Sequence, residues 1–215
     1  HSFPTRRSSD LSSHRNLYFS RLKRQLRDRL VNTIFLIDPN QAAFNDYQTA
    51  YFSCYKETVA AKILLGRHAR AAAVPLAEQV LKKALRFEFT DIILAVAREL
   101  YVHYGGLLGD KKKYEEYKGI VSKYTKVYFA ELQAEEYYLE IMINYAKSRG
   151  SKVELSDIAH RYYLELKEVI KEVQSYRFCY LFYQISLLRF EINNDYEVAF
   201  QRMLEEGAKL GLTPK

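Results

Sequence analysis

The chain has 215 residues and a formal net charge of +7, with 48% hydrophobic and 27% charged residues, 8 Gly, 4 Pro, 2 Cys and no Trp. That balance fits one ordinary globular domain and excludes a collagen-like, disulfide-stapled or wholly disordered chain. A window of about 18 uncharged apolar residues is absent, which excludes a spanning helix.

Residues 1–11, His-Ser-Phe-Pro-Thr-Arg-Arg-Ser-Ser-Asp-Leu, resemble at every position the translation of a common short-read sequencing adaptor. They are read as a non-native segment and set aside from the fold, as a tag would be. Residues 12–215 are read as a single helical domain, a fragment of a longer protein. The first helix is expected over about 14–36, with Leu22, Leu26 and Leu30 as its buried stripe. Asp38-Pro39-Asn40 ends it, because the residue before proline resists helical backbone angles. Gly66 ends the second helix, Pro75 is expected near the first turn of the third, and Thr90-Asp91 can cap the fourth. Gly105-Gly106 and Gly109-Asp110 read as a loop. Between Lys111 and Arg149 Gly119 is the one breaker, so a bend near Thr125–Ala130 and a single long helix both remain open.

Further along, Leu155, Ile158, Ala159, Tyr162, Leu166, Val169, Ile170 and Val173 recur at three- and four-residue steps, one apolar face of an α-helix. Ser151-Lys152-Val153-Glu154 just before it has capping-box spacing. Asn193-Asn194-Asp195 is a further turn. Sustained two-residue alternation is absent, so the fold class is all-α. The turn signals Gly66, Gly109, Gly150 and Asn194 lie 43, 41 and 44 residues apart. A period of this size in a helical chain predicts an irregular α-solenoid of stacked antiparallel hairpins, repeating about every 43 residues. The last unit carries Tyr183, Ser186, Leu187, Phe190, Asn194-Asp195, Ala199 and Met203 in the order of aromatic, paired small, aromatic, turn, alanine and large apolar positions. In this it resembles the tetratricopeptide-like α-solenoids, with Ser186 and Leu187 standing where Leu and Gly are usual. The Gly109-Asp110 turn followed by Tyr114 and Tyr117 echoes it. The resemblance spans residues 42–210 and implies a protein-binding surface.

Tyrosine is over-represented, at 19 residues. Its rigid ring and polar tip suit a peptide-binding groove, although helix-facing rings more often fill gaps between helices. Tyr101, Tyr104, Tyr137, Tyr138, Tyr180 and Tyr183 are the candidate partner-binding residues. Charge is uneven: residues 12–113 hold 17 Lys/Arg against 9 Asp/Glu, whereas 114–215 hold 14 against 16. The excess gathers on the first helix, where Arg21, Lys23, Arg24 and Arg27 are candidate polyanion contacts.

Catalytic and metal residues are not predicted. His14, His68, His103 and His160 make no metal-binding spacing, and the Gly105–Gly109 run follows a helix and lacks the Lys-Ser/Thr ending of a phosphate loop. Glu115-Glu116 and Glu135-Glu136 diverge by about 100° per residue and read as solvated faces. Cys54 and Cys179 read as buried free thiols of a reducing, cytoplasmic setting. The sequence thus points to a non-enzymatic module that binds another protein or a peptide, without cofactor or membrane partner. The alternatives are a sensory or regulatory arm of a larger effector, and a nucleic-acid-associated helical protein using the basic first helix.

Overall fold

A computed structural model of the chain describes residues 7–34, 45–147, 152–192 and 201. Among these residues every regular element is helical and no strand occurs. The order is α1 (Arg7–Ile34), α2 (Asp46–Gly66), α3 (Arg70–Phe87), α4 (Thr90–Val102), a π-turn (His103–Leu108), α5 (Lys111–Lys147), α6 (Lys152–Val169) and α7 (Tyr176–Ile192). The chain divides into two units, His1–Lys56 and Glu57–Lys215. The turns expected at Asp38–Asn40, Gly150-Ser151 and Asn193–Asp195 lie outside the described residues, as do Ala199 and Met203.

In the first unit, α1 is one continuous helix whose residues 17–33 are all exposed. Leu22, Leu26 and Leu30, expected as a buried stripe, are 41%, 60% and 56% exposed. Their i, i+4 spacing makes a helix face, but only a packing partner can bury one. The start of α2 carries a reciprocal cap: the Gln48 amide donates to Asn45 Oδ1 (2.8 Å) and the Asn45 amide donates to Gln48 Oε1 (3.3 Å).

The second unit is built from two packed sets. Helix α3 brings small residues, Ala73, Ala77 and Ala84 with Val80 and Leu81, against Ile92, Ile93, Val96 and Leu100 of α4. Alanines let the two backbones approach while the branched side chains of α4 fill the seam. Helix α4 also packs on α5, and α5 packs on α6 and α7 around a second core. That core holds Ala134 and Ile141 from α5, Ala159 and Leu166 from α6, and Phe178 and Ile185 from α7, all fully buried. Each of the larger ones contributes about 1.5–3 kcal/mol by leaving water. The 3.6-residue apolar period read over 155–173 is the face α6 turns to this core.

Three local expectations change. Pro75 is the sixth residue of α3, past the first turn, and costs a backbone hydrogen bond inside the helix. Thr90 does not cap α4: its N-cap is Phe89, without a side-chain bond, and the Thr90 hydroxyl is spent elsewhere. Residues 103–108 are a π-turn continuing α4 rather than a loop. Gly105 is needed there, since a Cβ would stand 2.5 Å from the Tyr114 ring. Gly109 then takes φ +65°, ending the turn, and Asp110 Oδ1 accepts from the Lys113 amide to start α5. Helix α5 runs unbroken through Gly119 and residues 125–130, 37 residues in all.

Candidate functional site

On α5 the turns around Ala130 point Val127, Ala130 and Ala134 inward, leaving Lys123, Lys126, Phe129 and Gln133 at the edges. Opposite them, α6 runs out without a glycine. Its last amides include three-residue bonds, Lys171 to Glu168 and Glu172 to Val169, before residues 173–175, outside any helix, lead into α7. A groove of about 600 Å³ lies between these walls. Val127, Ala130, Val169 and Val173 supply apolar lining, and Lys123, Lys126, Gln133 and Glu172 the polar lining. Phe129 stands at the groove 67% exposed, a large apolar ring in water. Lys123 and Lys126 form no salt bridge among the described residues.

Just past the wall residues Val173 and Gln174, three carboxylates converge on the start of α7. Glu131, 2% exposed, accepts from the Ser175 hydroxyl (2.7 Å) and the Thr90 hydroxyl (3.0 Å) at the same oxygen. Ser175 Oγ in turn accepts the Phe178 amide (3.2 Å), an N-cap. Glu88 Oε2 accepts the Tyr176 amide (2.8 Å). Glu88 itself stands at φ +57° as the C-cap of α3, a strained position for a residue with a Cβ. Glu135 pairs with Arg177 Nη2 (2.9 Å). Negative charge at a helix N-terminus also meets the positive end of the helix dipole.

Burial pushes the Glu131 carboxyl above the usual carboxylate range; the bonds from Ser175 and Thr90 and the nearby Arg177 charge only partly offset it. A second polar node ties α3, the π-turn and α5. Glu78 Oε1 accepts from the Tyr104 hydroxyl (2.8 Å), the Tyr117 hydroxyl (3.0 Å) and Lys113 Nζ (3.3 Å). Lys113 Nζ also donates to the Tyr104 hydroxyl (2.7 Å) and stands 4.2 Å from that ring's centroid. Here burial again raises the carboxyl, but the hydrogen bonds from Tyr104, Tyr117 and Lys113, with the lysine charge, outweigh it and hold Glu78 low.

The six candidate tyrosines are distributed over different packing sites. Tyr101 meets the Tyr114 ring edge-on, and Tyr104 is buried, stacked on Tyr117 within the Glu78 node. Tyr137 stacks on Tyr162 at 3.9 Å and donates to Glu165, while Tyr162 donates to Glu140 (2.6 Å). Tyr138 packs on the second core, Tyr183 is half-buried, and Tyr180 is exposed. Arg21, Lys23, Arg24 and Arg27 are all exposed on α1. Cys54 and Cys179 are both buried and free.

Glu131 and Glu88, which hold the start of α7 beside the groove, escaped the sequence reading, and Glu135, read as part of a solvated face, is half-buried and paired with Arg177. One signal was present: Glu131 sits within the buried set Val127, Ala130, Ala134, a carboxylate on an apolar face. Among the described residues no group of three His, Cys, Asp or Glu side chains could hold a metal, and no helix is long and apolar enough to cross a membrane. Compared with protein-family models, curated proteins and solved structures, the chain matches none.

Proposed function

We propose that this chain is a non-enzymatic, helical-repeat protein-interaction module whose groove beside α5 takes an extended segment of a partner protein. The observation that carries the reading is the 67% exposed Phe129 beside a valine-lined groove of about 600 Å³. Binding sites combine an apolar floor with a few polar groups that fix orientation. Lys123 and Lys126, in no salt bridge among the described residues, select a segment bearing a bulky apolar side chain next to acidic residues. The hairpin order of α3–α4 and α6–α7 about the long α5 fits stacked hairpins presenting such a surface. The start of α7 beside the groove is pre-set by Glu131, Glu88 and Glu135, so ordering it costs the partner little.

Selection of a random peptide library on the purified chain tests this. Enriched peptides should pair an apolar anchor with carboxylates. Phe129→Ser and Lys126→Glu, both at exposed positions, should each weaken them about tenfold, the effect of losing roughly 1.4 kcal/mol. Failure to enrich, or binders indifferent to both substitutions, would overturn the reading.

A further inference from the structure

We propose that α1 is a membrane-surface helix that lies on anionic lipid headgroups, with its leucine face in the boundary of the acyl chains. At about 100° per residue, Phe19, Leu22, Leu26 and Leu30 fall on one narrow face of α1, and all four are exposed. Arg29 borders that face on one side and Lys23 on the other. Arg27 extends the Lys23 flank, and Arg21, Arg24 and Asp28 occupy the opposite side with Leu17 and Val31, so residues 17–33 present five cations against one carboxylate. Low overall hydrophobicity, a cationic polar face and Phe and Leu on the other are what an interfacial helix requires. Spanning a bilayer and lying on it are separate demands, and only the first needs a long uncharged run.

Two other occupants fit less well. A duplex would engage the arginines through its phosphates and leave Phe19, Leu22, Leu26 and Leu30 in water. A second copy of α1 laid face to face would line both edges of the seam with like charges from Lys23 and Arg29. An anionic bilayer satisfies both faces at once: the headgroups meet the cations, and the acyl boundary takes the apolar side chains. This inference rests on α1 alone and is independent of the groove beside α5.

The test is co-sedimentation of the full chain with large vesicles of phosphatidylcholine, and of phosphatidylcholine mixed with phosphatidylserine. Binding is expected to the anionic vesicles and to weaken about fivefold for each cation removed, as in Arg24→Gln and Arg27→Gln. Leu22→Ser/Leu26→Ser should lower vesicle binding more than tenfold, as two exposed leucines lose their apolar burial. Both leucines are exposed, and an unchanged helical circular dichroism spectrum would show that the variant keeps its fold. Failure to bind anionic vesicles would overturn the proposal, as would binding unchanged in the double serine variant. Duplex DNA bound in a gel shift equally by wild type and the serine variant, with vesicles left unbound, would assign α1 to nucleic acid instead.

Discussion

Glu78 and Glu131 are the same residue type in the same unit, and their surroundings drive them in opposite directions. Glu78 is part-exposed and gathers two phenols and an ammonium group, so its charge is stabilised and its carboxyl is held low. Glu131 is sealed between α4, α5 and the start of α7, where burial dominates over the two hydroxyls that donate to it and the nearby Arg177 charge, so its carboxyl is pushed up. The difference is one of compensation: three donors, led by the Tyr104 and Tyr117 phenols, outweigh the desolvation of part-exposed Glu78, whereas two hydroxyls and the nearby Arg177 charge do not outweigh the deeper burial of Glu131.

The largest expected effect breaks the buried node outright. Glu131→Ala leaves the Thr90 and Ser175 hydroxyls without their acceptor and opens a void beside Ala130 and Ala134, and should cost about 2–3 kcal/mol in urea unfolding. A loss below about 0.5 kcal/mol would mean that the carboxylate does not fix the α7 start.

Next comes the pH dependence, where the two nodes should have opposite slopes. A carboxyl raised in the fold favours the protonated state. Glu131 therefore contributes most below the unfolded carboxyl value, and that contribution fades as pH rises through the folded value. Glu131→Gln, which mimics the protonated form, should remove this fall while staying within about 1 kcal/mol of wild type at neutral pH. A wild-type profile unchanged by the substitution would refute the assignment. Glu78 is lowered, so its contribution is present above the unfolded value and disappears as pH falls through the folded one. Glu78→Gln should flatten that acid limb.

The smallest effect is expected at Lys113. Its ammonium is part-exposed and meets Glu78 in water, so Lys113→Met should change stability at neutral pH less than either glutamate substitution. Its sharper signature is a weaker acid limb, because the lysine charge is part of what holds Glu78 low. A Lys113→Met variant with an unaltered acid limb would leave the two phenols as the groups that hold it.

Much of the helical layout is legible in the residues. Gly66 ends α2, and Leu155, Ala159, Tyr162 and Leu166 face the core because a 3.6-residue period can bury only one side of a helix. The six tyrosines were harder to place. A ring at helical spacing packs equally well between helices or at a rim, and only the neighbouring helix distinguishes Tyr104, buried on Tyr117, from exposed Tyr180.

By itself, then, the sequence determined what depends on neighbours three and four residues away: helical class, the apolar faces, and the turn at Gly109. Tertiary structure decided what depends on distant partners. Glu131 finds its two hydroxyls 41 and 44 residues away, and Glu88 reaches the Tyr176 amide across 88. The spacing of Leu22, Leu26 and Leu30 predicts a core stripe, yet all three are exposed. Periodicity states which side chains share a face, whereas burial and ionisation are set by what the folded chain brings against that face.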